Sequence, residues 1–237
     1  MVPGLYSSLD GMTAAQIRLD VLANNLANAD TPGFKAELLS VESSAAAEPG
    51  VLQPGNAVGR VRVGQRGLDA SPGILQVSGN PLDLALAGPG LFVLESPQGE
   101  RYTRAGTFTR DAEGYLATAQ GLRVLGSRGP IAVPATGFRV DANGQIAGGD
   151  SIRIVAGPDV PGLLRAGNNL YAPAPGAAPP AELPRATVLQ GQLERSNTNV
   201  VLAMVDMLAT VRNYEAHQRV MQSIDQASGQ ANEIGRP

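Results

Sequence analysis

The chain of 237 residues contains no cysteine, no tryptophan, one histidine (His217) and one lysine (Lys35). Without cysteine there is no disulfide, no thiolate nucleophile and no Cys-ligated metal. A single histidine leaves no donor set for zinc, and Glu215, two residues before it, faces another way on a helix. Charged residues make up only 16% of the chain and the net charge is -3, so neither a basic footprint for nucleic acid nor a strong acidic field is present. Aromatics, at 4%, are too scarce to line a sugar-binding cleft. No apolar run reaches the ~18 residues that a membrane span needs. The N-terminus also lacks a basic segment followed by a short apolar one. The expectation is therefore a chain that is not membrane-inserted. If it works outside the cytoplasm, it leaves without a cleaved signal peptide.

What the chain does have is helical period at both ends. Leu5, Leu9, Met12, Gln16, Leu19, Ala23 and Leu26 follow a 4-3 spacing, with a second stripe of Ala14, Ile17, Val21, Asn24 and Asn28 beside it. Near the other end Val200, Met204, Met207, Val211, Tyr214, Gln218, Met221 and Asp225 repeat the 4-3 spacing, and Ser196 or Asn197 offers an N-cap. Pro32 and Gly33 stop the first helix. Both helices carry few charges, so each is expected to be covered on more than one side. The economical reading is that they pair with each other, and that their apolar surplus seeks further partners.

Between the helices lie short apolar runs separated by Gly, Pro, Asn and Asp, among them "LDLAL", "LFVLE" and "SIRIVAG". "DAEG" and "DANG" read as hairpin turns. The fold class is thus mixed α and β: long N- and C-terminal helices pairing as a coiled-coil-like bundle, with a β-rich central domain. The expected organisation is an N-terminal helix over 1–33, an irregular connector over 34–66 and the β-rich domain over 67–171. A Pro/Ala-rich linker over 172–187 and a C-terminal helical segment over 188–237 complete it. The carboxylates Asp83, Glu95, Asp111, Glu113, Asp141 and Asp150 are scattered, and no spacing picks out a catalytic pair. "GPG" at 88–90 lacks the remaining glycines and the helix of a phosphate loop. The search for catalytic chemistry returns nothing.

Three stretches carry a resemblance. "ANNLANADTPGFK" (23–35) looks like the N-terminal signature of the axial proteins of the bacterial flagellar basal body, the rod and hook proteins. "GNPLDLALAGPGLFVLESPQGERYTRAGTFTRDAEGYLATAQGLRVLG" (79–126) is similar to their central β motif, and "GQLERSNTNVVLAMVDMLATVRNYEAHQRVMQSID" (191–225) resembles their C-terminal helix. The resemblance implies a structural subunit of the rod, without enzymatic activity, cofactor or small-molecule substrate. It implies as partners other copies of the chain, other rod proteins and the flagellar type III export apparatus, and as location the basal body. In the family the terminal helices pack as a tube around the export channel. Short length, and the lack of an aromatic in "AELLSVESSAAAEPG", favour the proximal rod F-type over the distal G-type or a hook-type protein. A wall-processing enzyme or a stalked adhesin is the alternative outside the family.

On this reading the assembly interface comprises Leu5, Leu9, Met12, Leu19, Asn24, Asn25, Leu26 and Asn28 on the first helix. On the second it comprises Val200, Met204, Met207, Val211, Tyr214 and Met221. Thr31, Gly33, Phe34 and Lys35 form the family-motif turn. Asn24 and Asn28 are expected to bond across subunits and fix register, as a buried polar residue does in a coiled coil.

Overall fold

The structure, a computed structural model, describes residues 2–45, 59–134, 137–147, 149–157, 163–183 and 186–234; for 2–7, 41–45, 59–66, 228 and 231–234 only the backbone is described. The chain divides into two compact units, one made of residues 1–27, 37–67 and 199–237, the other of residues 28–36 and 68–198.

The first unit holds α1 (Val2–Ala27), the paired strands β1 (Glu37–Ala45) and β2 (Gly59–Leu68), and α2, which follows the other strands in sequence (Val200–Ile234). The connector expected over 34–66 is therefore largely a strand pair, although its residues 46–58 lie outside the described residues. The two helices pack on each other. The sequence offered Ser196 or Asn197 as the cap of α2, but the cap is Asn199, whose Oδ1 accepts the Leu202 N–H at 3.1 Å.

The second unit is all β. Its strands are β3 (Leu75–Val77), β4 (Leu84–Ala87), β5 (Leu91–Glu95), β6 (Arg101–Thr103), β7 (Thr109–Arg110), β8 (Leu116–Ala117), β9 (Arg123–Gly126) and β10 (Gly129–Pro130). There follow β11 (Gln145–Ile146), β12 (Asp150–Ser151), β13 (Ile154–Val155), β14 (Leu163–Gly167), β15 (Leu170–Pro173), β16 (Thr187–Gln190) and β17 (Gln192–Glu194). The main sheet runs β14-β15-β6-β5-β9-β8-β7, with β10 beside β9. β5 is its centre: β6 pairs along one edge, while β13 and then β9 share the other. Leu91, Phe92, Val93 and Leu94 of β5 are all fully buried. Covering on both faces explains why this strand reads as an unbroken apolar run. Phe92 and Leu94 join a core with Leu84, Phe108, Leu116 and Ile131, in which Phe92 and Phe108 meet edge to face at 5.3 Å. Leu91 and Val93 face Tyr102, Val155 and Tyr171.

Both turns read from the sequence are present and built alike. Asp111 Oδ1 accepts the N–H groups of Glu113 and Tyr115, and Asp141 Oδ1 those of Asn143 and Gln145, with Gly114 and Gly144 at positive φ. The Pro/Ala-rich stretch departs from its expected role as a linker. Ala181 and Leu183 bond to Ala156 and Ile154, and Ala186 joins the core. The β unit accordingly continues past it: β16 pairs with β4 and β17 with β3.

Candidate functional site

Neither helix packs along the stripe that the sequence spacing singled out. On α1 the buried side chains are Ser8, Ala14, Ala15, Val21 and Asn25, whereas Leu9 is 48% exposed and Gln16 and Ala23 are exposed. Met12, Leu19 and Leu26 are half-buried, and Leu5 lies outside the residues whose side chains are described. On α2 the covered positions are Ala203, Met207, Thr210, Tyr214, His217, Met221 and Ile224. They keep a 4-3 spacing, but shifted: Met207, Tyr214 and Met221 belong to the stripe read from the sequence, while Val200, Met204 and Val211 are exposed. Size explains the shift. The small residues Ser8, Gly11, Ala14, Ala15, Ala203 and Thr210 let the backbones approach. At Gly11 the approach is so close that a Cβ would stand 2.7 Å from the imidazole of His217. The single histidine is thus a packing residue seated in a glycine notch.

The asparagines also separate. Asn25, not Asn24 or Asn28, is the buried one, and its amide behaves like a strand residue. Its Nδ2 donates to the Glu37 carbonyl at 2.9 Å, and its Oδ1 accepts the Glu37 N–H at 2.8 Å. Asn25 therefore pins the start of β1 within its own chain. Asn28 sits in the turn after α1, where its Oδ1 accepts from Thr31 Oγ1 at 3.2 Å and its carbonyl from Thr31 N at 3.1 Å. Asn24 is exposed.

The motif turn that follows is docked in the β unit. Gly33 has φ +67°, and a Cβ there would lie 2.4 Å from the Arg104 carbonyl oxygen, so only glycine fits. Its N–H donates to the Glu194 carbonyl at 2.7 Å. Phe34, 3% exposed, lies under the Arg165 guanidinium, 4.5 Å from ring centre to Cζ, and Arg165 also donates to the Lys35 carbonyl. Asn169, in the tight turn between β14 and β15, donates to the Pro32 carbonyl at 3.0 Å.

The sole lysine is the least expected feature. Lys35, Arg104 and Glu194 all have side chains only 2% exposed. Lys35 Nζ lies 2.7 Å from Glu194 Oε1, and Arg104 Nε lies 2.5 Å from Oε2. Each member has further partners: Lys35 Nζ donates to the Ser71 carbonyl, Arg104 to the carbonyls of Gly90 and Leu86, and Glu194 Oε1 accepts the Gly73 N–H. Burial pushes the Glu194 carboxyl up. The bond from Lys35, the Arg104 charge and the Gly73 N–H outweigh that push and hold it below the usual carboxylate range. Asn197 closes the same junction, accepting from Ala36 N at 2.8 Å and donating to the Asp69 carbonyl at 3.0 Å. One buried carboxylate thus clasps the motif turn, the segment just after β6 that carries Arg104, and the strand leading to α2.

Five other acids are held by arginine or serine partners. Asp111 and Glu113 pair with Arg123, Glu100 and Glu182 with Arg153, and Asp150 accepts from Ser127 Oγ. Among the described residues no three His, Cys, Asp or Glu side chains gather as a metal site, and no helix is long and apolar enough to cross a membrane. Sequence reading missed Arg104, Arg165 and Glu194, and took Asn197 for a helix cap. The one signal that pointed toward them was Lys35, alone of its kind and placed in the motif turn.

Set against known families, the chain matches in three places. Residues 5–35 match a family described as flagella basal body rod protein, residues 85–148 the flagellar hook protein FlgE/F/G D1 domain, and residues 189–234 the flagellar basal body rod FlgEFG protein C-terminal region. Lys35, Arg104 and Glu194 fall one in each. Along nearly its full length the chain is similar to flagellar basal-body rod protein FlgF of Escherichia coli, at 34% identity over 97% of both chains. It is similar to FlgG of Bacillus subtilis at 31% over 95% of this chain and 96% of the relative. With FlgF of Caulobacter vibrioides it shares 32% over 97% and 96%.

Proposed function

The chain belongs to the flagellar basal-body rod proteins, and from that premise we propose that it joins the rod through the outward faces of its two terminal helices. It is a structural subunit of the basal body and not an enzyme. The observation that carries the proposal is an apolar stripe on α2. Val201, Met204, Val205, Leu208 and Val211 lie on one face at the helical turn of 100° per residue, and are 70%, 49%, 57%, 62% and 37% exposed. That side is turned away from Ala203, Thr210 and His217, of which the first two are buried and the last packs on Gly11 of α1. Apolar surface of roughly 500 Å² on one helix is at the upper end of what a lone soluble protein leaves bare. Leu9, exposed on α1, adds to it.

In this reading the contact residues are those that the single chain leaves uncovered: Leu9, Val200, Met204 and Val211, with Val201, Val205 and Leu208. Met12, Leu19, Leu26, Met207, Tyr214 and Met221 support them from the flanks. The partners are further copies and other rod proteins, the helices enclose the export channel, and the subunit reaches the rod through the flagellar type III export apparatus. Within the family we read the chain as F-type, on its short length and the missing aromatic after "PGFK". Complementation of strains lacking one or the other rod protein tests that assignment.

The test of the interface is the pair Val205→Asp and Leu208→Asp. Both side chains are exposed, so the monomer keeps its circular dichroism and melting temperature, while rod completion and swimming are lost. Normal rods and swimming in the double variant refute the interface.

A further inference from the structure

Beside the ionic clasp lies a cavity of about 280 Å³, and its chemistry goes beyond a role in rod building. Exposed Ala70, Pro72, Gly88 and Pro89 form its mouth, and buried Gly90, Lys35 and Arg104 its floor. The walls are mostly apolar, but the floor is positively charged. Two cations share one carboxylate, and among the described residues no second acid comes within ion-pair distance of either. Donors are also in surplus. An ammonium has three N–H groups and a guanidinium five. Lys35 uses two, on Ser71 and Glu194, and Arg104 uses three, on Glu194, Gly90 and Leu86. Among the described residues, three N–H groups of the two buried cations are therefore left without a protein acceptor.

A buried excess of positive charge with spare donors favours an anion, and narrow walls of proline, alanine and glycine favour an apolar stem behind it. We propose that this cavity is an anion site that takes a carboxylate on a short aliphatic body, bound by the spare N–H groups of Lys35 and Arg104. The carboxylate belongs either to a free small acid or to an Asp or Glu side chain of a second copy. Phosphate, with a larger charge and no apolar part, fits the walls less well.

Sodium propionate is the probe, with sodium chloride at equal ionic strength and neutral propionamide as controls, all on the full chain. Propionate is expected to raise the melting temperature saturably, as a ligand bound only by the folded state does. It should also shift the Gly88 and Gly90 amides and the Arg104 Nε–H in nuclear magnetic resonance spectra. Ala70→Leu fills the mouth from an exposed position and should abolish both responses. Sedimentation separates the two sources: propionate that disperses oligomers competes with an acid from another copy, and propionate that leaves the mass unchanged is replacing a free acid. An equal response to propionamide, an unchanged response in Ala70→Leu, or no shift at Gly88, Gly90 and Arg104 in the unmodified chain overturns the proposal.

Discussion

Glu194→Gln isolates the charge of the clasp while keeping its shape. The glutamine still fills the site and still has an oxygen for the Gly73 N–H, but its amide nitrogen now faces a cation. What remains is Lys35 and Arg104, each with a side chain 2% exposed, without the negative charge they shared. Removing one partner of a buried pair costs about 3–5 kcal/mol, because the charge left behind is neither solvated nor neutralised. For a unit of roughly 140 residues that corresponds to a fall in melting temperature of about 10–20 °C. Lys35→Met is the comparison. It leaves Arg104 and Glu194 as a neutral pair, so its cost is smaller, about 1–3 kcal/mol. Urea unfolding followed by near-ultraviolet circular dichroism of the tyrosines reads the loss, since Tyr102 and Tyr171 are buried in this unit. The midpoint should drop with the slope unchanged. A loss under about 1 kcal/mol for Glu194→Gln, or a larger loss for Lys35→Met, refutes the reasoning.

The same carboxylate sets a pH dependence. Its folded pKa is lowered, so its stabilisation is full above the ordinary glutamate range, about 4.3, and is lost as pH falls through the lowered value. Acid titration of stability should show this limb in the natural chain and lack it in Glu194→Gln. Gly33→Ala forces alanine to φ +67° with its Cβ 2.4 Å from the Arg104 carbonyl, and should cost about 2–4 kcal/mol in urea unfolding. Asn25→Leu removes both bonds to Glu37 and should speed exchange of the Glu37 amide by about 10-fold or more, for a loss of about 1–3 kcal/mol. Gly11→Ala should separate the helices and lower their stability, and His217→Ala in the same chain should restore much of it, read as a double-mutant cycle.

Local features were legible in the sequence for local reasons. The two Asp turns, the doubly covered strand β5 and the terminal helices each depend on residues within a few positions of one another. The contact between α1 and α2 does not follow the stripe of large residues, because hydrophobic spacing finds large side chains, while the face that lets the two helices approach is rich in small ones: Ser8, Gly11, Ala15, Ala203 and Thr210. The cap of α2 was misplaced because Asn197, a good cap by type, is spent on Ala36 and Asp69. The clasp was invisible for a different reason. Lys35 and Glu194 are 159 positions apart, and an ion pair leaves no periodic mark on either segment. Strands β16 and β17 were lost with it, since the proline-rich stretch before them disguised a path that stays on the β unit.

The β unit is threaded in and out through one doorway. Gly33 donates to the Glu194 carbonyl and Asn197 to the Phe34 carbonyl, at 2.7 and 3.4 Å, so incoming and outgoing strands of chain lie side by side. From 68 to 198 the chain stays in the β unit, a single loop whose ends are already fastened together where Asn197 donates to the Asp69 carbonyl at 3.0 Å. The cost of closing such a loop grows only with the logarithm of its length. An added domain or a fluorescent tag in the exposed turn at 97–99 should therefore leave the doorway, and whatever is built on either side of it, at an unaltered spacing. The clasp makes the β unit an exchangeable cartridge.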